Sequence, residues 1–207
     1  MSTLDDRLDA LDAELRRVPG VLVAFSGGVD SGVVLAAALR ALGPEQVVAA
    51  TAVSPSLPAA ERVTAAEFGA SLGVRHEFPR TDELSREGYR ANAGDRCAFC
   101  KSELIDVLTP LAARLGIADV VTGTNADDLR AGFRPGIRAA AERGAWAPLA
   151  RAGLTKDDVR AAARRWDLPL ADKPAAACLA SRIAYGVPVS AAGLARVETA
   201  EAALRDA

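Results

Sequence analysis

Hydrophobic positions along the chain fall into two alternating patterns. Continuous apolar runs predict four buried strands, at residues 21–25, 47–53, 74–78 and 120–123. Helical periodicity and capping residues predict helices between and around them, at residues 4–18, 30–42, 56–72, 101–115, 155–166 and 190–205. Strands that alternate with helices imply right-handed crossovers. The expected fold is therefore α/β, one parallel sheet with helices on both faces.

Local signals set the expected boundaries of these elements. Ser56 is expected to cap the third predicted helix, and Gly73 is expected to lie at its C-terminal end. Residues 168–188 are rich in proline and alanine, which predicts an ordered loop. The chain is therefore expected to contain a main domain at residues 1–165 and a short C-terminal extension at residues 166–207.

Composition and charge narrow the function classes. The chain has 207 residues, enough for one hydrophobic core and a small appendage. Its formal net charge of −2 argues against a nucleic-acid substrate, because proteins that grip phosphate backbones usually carry a basic excess. No apolar stretch is long enough to cross a membrane. The N-terminus is acidic and lacks the basic and apolar regions of a signal peptide. With an odd number of cysteines, three, a disulfide framework is not expected, and we expect a cytoplasmic protein.

A glycine-rich turn lies between the first predicted strand and the helix that follows it. Residues 26–31 read Ser-Gly-Gly-Val-Asp-Ser. Backbone N–H groups in such a turn, together with the helix N-terminus, form an anion site. Gly27 and Gly28 permit close approach of a phosphate group, while Ser26 and Ser31 add hydroxyl donors. No lysine follows the glycines, so this is not the common G-x-x-x-x-G-K-[ST] loop. The alternative is a tight strand–helix turn without a ligand.

This turn resembles the PP-loop of the N-type ATP pyrophosphatases. Those enzymes cleave ATP between the α- and β-phosphates and adenylylate a substrate. The resemblance implies an adenine nucleotide α-hydrolase-like fold. It also implies that the ATP phosphates are bound by Ser26, Gly27, Gly28, Val29, Asp30 and Ser31.

Polar residues follow two further predicted strands. Ligands in open α/β sheets bind beyond the carboxyl ends of the strands, so we expect ATP to lie across these positions. Thr51 follows one strand and is placed to receive adenine through backbone contacts, while Gly123 and Asn125 follow another. Mg²⁺ prefers carboxylate and phosphate oxygens, and its candidate ligands are Asp30, Asp127 and Asp128. The alternative for the adjacent pair of aspartates is an ordinary helix N-terminal charge pair.

The chain's three cysteines are Cys97, Cys100 and Cys178. The first two form a C-x-x-C pair, which alone is compatible with a redox dithiol, a zinc site or an iron–sulfur cluster. Structural zinc normally takes four ligands, and His76 is the single histidine that would be available as the fourth. Three thiolates instead fit a [4Fe–4S] cluster with one open iron. Lys173 and Arg182 would lower the thiol pKa of Cys178 if they converge on it; the alternative is a small buried hydrophobe.

Several motifs taken together resemble the LarE family of ATP-dependent sulfur transferases. Besides the glycine-rich turn they are Arg-Cys-x-x-Cys-Lys at 96–101, Gly-Thr-Asn-Ala-Asp-Asp at 123–128, Arg-Pro-Gly at 134–136, Lys-Pro-Ala-Ala-Ala-Cys-Leu-Ala-Ser-Arg at 173–182 and Tyr-Gly at 185–186. The likeness runs from about residue 10 to the end of the chain. This family helps to make the nickel-pincer cofactor of lactate racemase. It activates a carboxylate of pyridinium-3,5-biscarboxylate mononucleotide as an acyl-adenylate, and sulfur then displaces AMP to give a thiocarboxylate.

The resemblance also implies roles for individual residues. Some family members sacrifice the cysteine that matches Cys178, whereas others use three cysteines to bind a [4Fe–4S] cluster that relays sulfide. This chain has all three, which implies the cluster type, with Cys178 as the sulfur-carrying residue and Asp30 as a second catalytic residue. Ser181 and Arg182 are then the expected contacts for the substrate phosphate, since arginine binds phosphate bidentately.

The expected cofactors are ATP, Mg²⁺ and the cluster, and the expected partners are a small-molecule nucleotide and sulfide or a sulfur-delivery system. We also expect a homo-oligomer. Family members usually continue into a small C-terminal domain, so we expect either that the chain is truncated or that this part of the substrate site is missing from it.

Two other classes of function stay open. The first is another PP-loop enzyme, either a tRNA thiolase, which predicts a basic face, or an ammonia-dependent synthetase, which has no need of three cysteines. The second is a non-enzymatic nucleotide or metal-binding regulator, which predicts ATP binding without pyrophosphate release.

Overall fold

A computed structural model describes residues 3–206 of the chain. Within that range the strands are β1 (Val21–Ala24), β2 (Val47–Ala50), β3 (Arg75–Glu77) and β4 (Asp119–Thr122). The helices are α1 (Leu4–Leu15), α2 (Val29–Leu42), α3 (Ala59–Ser71), α4 (Glu87–Arg90), α5 (Arg96–Arg114), α6 (Ala126–Arg130), α7 (Pro135–Ala141), α8 (Pro148–Arg151), α9 (Lys156–Arg165) and α10 (Ala191–Asp206). Among the described residues, no helix is long and apolar enough to span a bilayer.

The four strands form one sheet in the order β3-β2-β1-β4, and each pairing is parallel. The central strand β1 pairs Ala24 with Ala50 on one side and with Thr122 on the other. The carboxyl ends of these three strands therefore meet at one edge of the sheet. The predicted α/β fold with a parallel sheet is confirmed.

Apolar side chains cover both faces of the sheet, as the continuous apolar runs require. On one face, Val23 of β1 packs in a cluster with side chains of α1, α2, α3 and α9. On the other face, Leu22 packs with Ile105 and Leu108 of α5. These three side chains are almost fully buried, and full burial of a side chain of this size contributes about 1.5–3 kcal/mol.

A third apolar cluster joins the segment around α4 to the C-terminal part of the chain. Its buried members are Tyr89, Leu179, Ala180, Val189 and Leu194. The predicted loop at 168–188 contains a short 3-10 helix, Leu179–Arg182, which contacts α10. This packing holds the segment that follows Cys178 against α4 and the beginning of α5.

Several boundary predictions were wrong. The first helix ends at Leu15 rather than residue 18, and the second strand ends at Ala50 rather than residue 53. The helix expected to begin at residue 101 begins at Arg96, so Cys97 and Cys100 lie in its first turns. Ser56 caps no helix: α3 begins after Pro58, and the Ser56 hydroxyl instead lies 2.5 Å from the Tyr89 hydroxyl. Proline fixes its own φ, so it sets the direction of the chain into α3 without help from a side-chain cap.

Candidate active site

The glycine-rich turn is wound around a serine at the start of α2. The Ser31 hydroxyl donates to the carbonyl of Gly28 at 3.1 Å and accepts from the amide of Ser26 at 3.2 Å. Gly27 has a φ of 75°, in the region that favours glycine, and α2 begins at Val29. The turn therefore presents backbone N–H groups and a helix N-terminus at one end of β1, which is the arrangement that binds a phosphate group.

Gly123 lies directly against this turn. A β-carbon at position 123 would be 2.6 Å from the amide nitrogen of Ser31 and 3.0 Å from the carbonyl carbon of Asp30. Real β-carbons do not approach backbone atoms that closely, so this position requires glycine. The end of β4 and the glycine-rich turn thus share one tightly packed backbone contact.

The carboxylate of Asp30 has two partners from distant parts of the chain. Its Oδ1 accepts a hydrogen bond of 2.9 Å from the side-chain amide of Asn125. Its Oδ2 forms an ion pair with Lys156 at the start of α9. Both carboxylate oxygens are therefore engaged, and they tie the glycine-rich turn to the loop after β4 and to α9.

The neighbouring aspartates serve helix N-termini. The Asp128 carboxylate accepts from the amide of Asn125 at 3.2 Å, which completes a capping box for α6. The Asp127 carboxylate accepts from the amide of Lys156 at 2.8 Å and lies 3.6 Å from Arg130. Asp128 still lines the same cavity as Asp30, whereas Asp127 does not. These contacts agree with the alternative interpretation, in which the two aspartates stabilise helix N-termini. A magnesium-binding role for the pair stays a prediction.

A lysine reaches the glycine-rich turn from 146 positions further along the chain. Lys173 donates from Nζ to the carbonyl of Gly27 at 3.0 Å and to the carboxylate of Glu61 at 2.7 Å. Arg182 donates from Nε to Glu201 at 2.6 Å. The two cations that sequence proximity assigned to Cys178 are thus bonded to other groups. The glycine-rich turn has no lysine of its own, and Lys173 from the segment before Cys178 contacts it instead.

The three cysteines are free thiols distributed over two adjoining cavities. Cys100 and Cys178 line a cavity of about 230 Å³. Cys97 lines a cavity of about 490 Å³ that is also lined by much of the glycine-rich turn. Ser26 borders both cavities. Cys97 and Cys178 are exposed, so both are open to reagents and ligands.

Cys100 is held as a neutral thiol. Burial raises the pKa of Cys100 to about 12; Lys101 acts in the opposite direction, and Glu83 and the other two cysteines raise it further. Cys100 and Cys178 share one cavity, and Cys97 lies one helical turn from Cys100 on the adjoining cavity. Their donor chemistry suits a three-thiolate cluster, since a bound metal would replace the proton of Cys100. As they stand, no three His, Cys, Asp or Glu side chains within residues 3–206 are arranged to hold a metal ion.

Ser181 lies beside Cys178 at the start of the C-terminal segment. Its hydroxyl is 3.5 Å from the Cys178 sulfur and also donates to the Cys178 carbonyl. Together with Arg182, it places one hydroxyl and one guanidinium within four residues of this thiol. A role for these two residues in binding a substrate phosphate stays a prediction.

Thr51 follows β2 and its side chain is buried rather than directed at a ligand. Its hydroxyl donates to the carbonyl of Phe25 at 2.7 Å and lies 2.9 Å from Nε2 of His76. Because the hydroxyl proton is used on Phe25, His76 donates from Nε2 and its Nδ1 carries no proton. That Nδ1 is buried and has no hydrogen-bond partner.

We expect the stability of the protein to fall as the pH drops below the ordinary pKa of histidine. Burial lowers the pKa of His76 from its ordinary value of 6.5, although Glu77 acts in the opposite direction. The unfolded chain therefore binds this proton at a pH where the folded chain does not. The contribution of neutral His76 to the free energy of unfolding is therefore complete above about pH 6.5 and decreases below that pH.

Urea unfolding at several pH values between about 7.5 and 5.5 tests this expectation. The midpoint should decrease across that range in the wild-type protein and stay flatter in His76→Gln, whose amide can still donate to Thr51. Since the chain has one histidine, no other imidazole can produce the slope. Equal slopes in both proteins would contradict the assignment to His76.

Comparison with known proteins identifies the family. No protein-family model matches the chain. An uncharacterised protein of Synechocystis sp. is 45% identical over 202 residues, which cover 98% of this chain and 75% of that protein. The pyridinium-3,5-bisthiocarboxylic acid mononucleotide synthase of Lactiplantibacillus plantarum is 35% identical over 205 residues, 99% of this chain and 74% of that enzyme. The chain belongs to this family, the LarE family.

Solved structures show the fold that the LarE-family chain shares with other proteins. The NH3-dependent NAD synthetase of Campylobacter jejuni superposes with a TM-score of 0.65 at 20% identity, over 81% of this chain and 75% of that one. The glutamine-dependent NAD+ synthetase of Acinetobacter baumannii, solved with ADP, gives a TM-score of 0.66 at 20% identity, over 86% of this chain and 37% of that one. At this identity the likeness establishes the α/β fold.

Sequence reasoning missed three residues at the site of this LarE-family chain. Lys156 and Lys173 contact the glycine-rich turn, and Glu61 accompanies the second lysine. Lys173 was noted as a neighbour of Cys178, and its motif gave no sign that it contacts Gly27. No local signal marks Lys156 or Glu61, because their contacts depend on how α9 and α3 pack.

Proposed function

We propose that this chain is an ATP-dependent sulfur transferase. In this proposal it adenylylates a carboxylate of pyridinium-3,5-biscarboxylate mononucleotide and converts it to a thiocarboxylate for the nickel-pincer cofactor of lactate racemase. The observation that carries the proposal is 35% identity over 99% of the chain to an enzyme named for the pyridinium bisthiocarboxylate product. The phosphate-binding geometry of the glycine-rich turn and the three neighbouring thiols support it.

The first step is formation of the acyl-adenylate. A substrate carboxylate oxygen attacks the α-phosphorus of ATP, the bond to the bridging oxygen breaks, and pyrophosphate leaves. We assign the backbone N–H groups of residues 26–31 to the phosphates, and Lys173, which also pairs with Glu61, lies beside Gly27. We assign Asp30, with Asp128 on the same cavity, to the organisation of Mg²⁺.

The second step is sulfur transfer. A sulfide nucleophile attacks the activated acyl carbon, the bond to the adenylate oxygen breaks, and AMP leaves with the electron pair. Cys97, Cys100 and Cys178 would hold a [4Fe–4S] cluster, which supplies an open iron for sulfide when it is bound. Ser26 of the glycine-rich turn also borders the cavity that Cys100 and Cys178 line, and this shared border supports sulfur delivery to the activated carboxylate. Ser181 and Arg182, which adjoin Cys178, are assigned to the substrate phosphate.

The cellular setting of the reaction follows from the thiols. Three free cysteines suit a reducing compartment, so we place the protein in the cytoplasm. As separate parts of the proposal, it acts as a homo-oligomer and receives sulfur from sulfide or a sulfur-delivery system. Residues 1–165 are assigned to ATP activation, and the extension at 166–207 is assigned to presenting Cys178.

An assay of both half-reactions tests the proposed function. Anaerobic protein with ATP, Mg²⁺, sulfide and the biscarboxylate mononucleotide should release pyrophosphate and AMP and form a thiocarboxylate, identified by mass spectrometry. Cys178→Ala should keep pyrophosphate release but lose thiocarboxylate formation by at least about 100-fold, since it lacks the sulfur-carrying residue.

Three results would count against the proposal. Release of ADP and orthophosphate would contradict the class of ATP cleavage. Product formation with ammonia instead of sulfide would favour an ammonia-dependent synthetase. Intact mass after turnover separates the two sulfur routes: conversion of Cys178 to dehydroalanine, with loss of the mass of H2S, would replace the cluster route with a sacrificial one.

A further inference from the structure

Asn92 is a buried residue that connects two distant segments. It lies between α4 and α5, is completely buried and has a φ of 53°, an uncommon conformation that asparagine tolerates better than most residues. Its side-chain Nδ2 donates to the carbonyls of Ala184 at 2.9 Å and Val187 at 2.8 Å. The amide of Gly186 donates to the Asn92 carbonyl at 3.2 Å. One side chain thus binds the segment that follows Cys178.

Arg96 extends the same connection from the first residue of α5. Its Nη1 donates to Oδ1 of Asn92 at 2.5 Å and to the carbonyl of Ala180 at 2.7 Å, and the residue is only 5% exposed. The guanidinium carbon also lies 5.9 Å from the ring centre of Tyr185. Within residues 3–206, no carboxylate forms an ion pair with Arg96.

A buried guanidinium without a carboxylate partner is costly unless other groups compensate its charge. Here the compensation comes from two neutral oxygens and an aromatic face, and two of these three groups belong to the segment 180–187. Moving that segment away would remove the Ala180 carbonyl and the Tyr185 ring, and Arg96 would retain one protein hydrogen-bond partner, Asn92. These contacts of Arg96 therefore stabilise the observed position of the segment 180–187.

The two connected segments are the ones that carry the thiols. Cys97 and Cys100 follow Arg96 in the first turns of α5, and Cys178 lies two residues before Ala180. We propose that Asn92 and Arg96 are positioning residues that hold the Cys178 segment against α5 and thereby set the separation between Cys178 and Cys100. This inference rests on the packing of the chain and does not depend on the proposed function.

The experiment compares thiol bridging in two backgrounds of the full chain. Cys97→Ser retains Cys100 and Cys178, whose separation depends on the proposed connection. Cys178→Ser retains Cys97 and Cys100, which share one helix and serve as the internal control. The probe is dibromobimane, which alkylates the exposed Cys178 or Cys97 first and becomes fluorescent when it then bridges to Cys100. The half-buried Cys100 thiol takes part in both backgrounds, so its low reactivity is common to both and the two rates can be compared. Bridging is measured well below the melting temperature of each protein.

Asn92→Ala and Arg96→Leu should slow bridging of Cys100 to Cys178 by about tenfold and leave bridging of Cys97 to Cys100 within about twofold of its original rate. Arg96→Lys retains the charge and part of the bonding, so it should slow the first reaction by only about threefold. Arg138→Leu, which removes an exposed arginine paired with Glu142 on α7, should change neither reaction.

Two outcomes would overturn the inference. Bridging of Cys100 to Cys178 at the original rate in Asn92→Ala would show that the segment is held by other contacts. Equal slowing in both backgrounds would show general loosening of the fold rather than positioning. If Arg96→Leu does not fold, the milder Arg96→Lys carries the test, and a rate equal to that of the wild-type protein would contradict a requirement for the guanidinium group. Failure of the sulfur-transfer assay would leave these rates unaffected.

Discussion

Gly123→Ala should weaken ATP binding by about 100-fold and lower the free energy of unfolding by about 1–3 kcal/mol. The added β-carbon would stand 2.6 Å from the amide nitrogen of Ser31 and 3.0 Å from the carbonyl carbon of Asp30. Both atoms are backbone, so no side chain can rotate away to relieve the contact. The end of β4 and the glycine-rich turn must separate, and the N–H groups that we propose bind phosphate then lose their common direction.

Calorimetric titration with a non-hydrolysable ATP analogue measures the change in affinity, and urea unfolding measures the change in stability. Gly193→Ala is the matched control, because it makes the same substitution within α10, where the nearest atom is the Ser190 hydroxyl at 3.2 Å. Alanine is favoured over glycine inside a helix, so the control should retain ATP affinity and should not lose stability. Affinity close to that of the wild-type protein in Gly123→Ala would show that the turn does not bind the nucleotide.

The sheet and the glycine-rich turn could be predicted because their signals are local. The apolar run at 21–25 can be buried on both faces only as a central strand, and β1 lies at the centre of the sheet. The six residues after it contain the glycines and hydroxyls that shape the turn, so its geometry follows from neighbouring residues alone. Family motifs spread along the chain added the expectation of the reaction class.

The contacts that complete the site could not be predicted, because they join residues far apart in sequence. Lys173 contacts Gly27 across 146 positions, and Lys156 contacts Asp30 across 126 positions. No periodicity or spacing encodes which carbonyl or carboxylate a lysine will reach after packing. The start of α5 was misplaced for a related reason. Asp95 makes no side-chain capping bond at the start of α5. The extra turn of helix instead contains Arg96, which is buried against the Cys178 segment through a contact that no local sequence signal encodes.

Asp30→Asn should lower the rate of pyrophosphate release by about 10²–10³-fold, because it removes a negative charge beside the glycine-rich turn while keeping the size of the side chain. The asparagine oxygen can still accept from Asn125, so that part of the local structure is preserved. The variant loses the ion pair with Lys156 and any capacity to hold Mg²⁺ as an anion. Steady-state pyrophosphate release over a range of Mg²⁺ concentrations measures the effect.

Lys156→Met separates the two possible roles of the carboxylate. It removes the ion pair but leaves Asp30 charged, so we expect a decrease of about tenfold or less in pyrophosphate release if Asp30 acts on the metal and the phosphates. Asp12→Asn, which removes an exposed carboxylate paired with Arg16, controls for the loss of one negative charge and should leave the rate unchanged. Equal losses in Asp30→Asn and Lys156→Met would instead mean that Asp30 acts through Lys156, as the connection between the glycine-rich turn and α9. A Mg²⁺ dependence altered in Asp30→Asn alone would identify the carboxylate as part of the metal site, because Lys156 cannot ligate a cation.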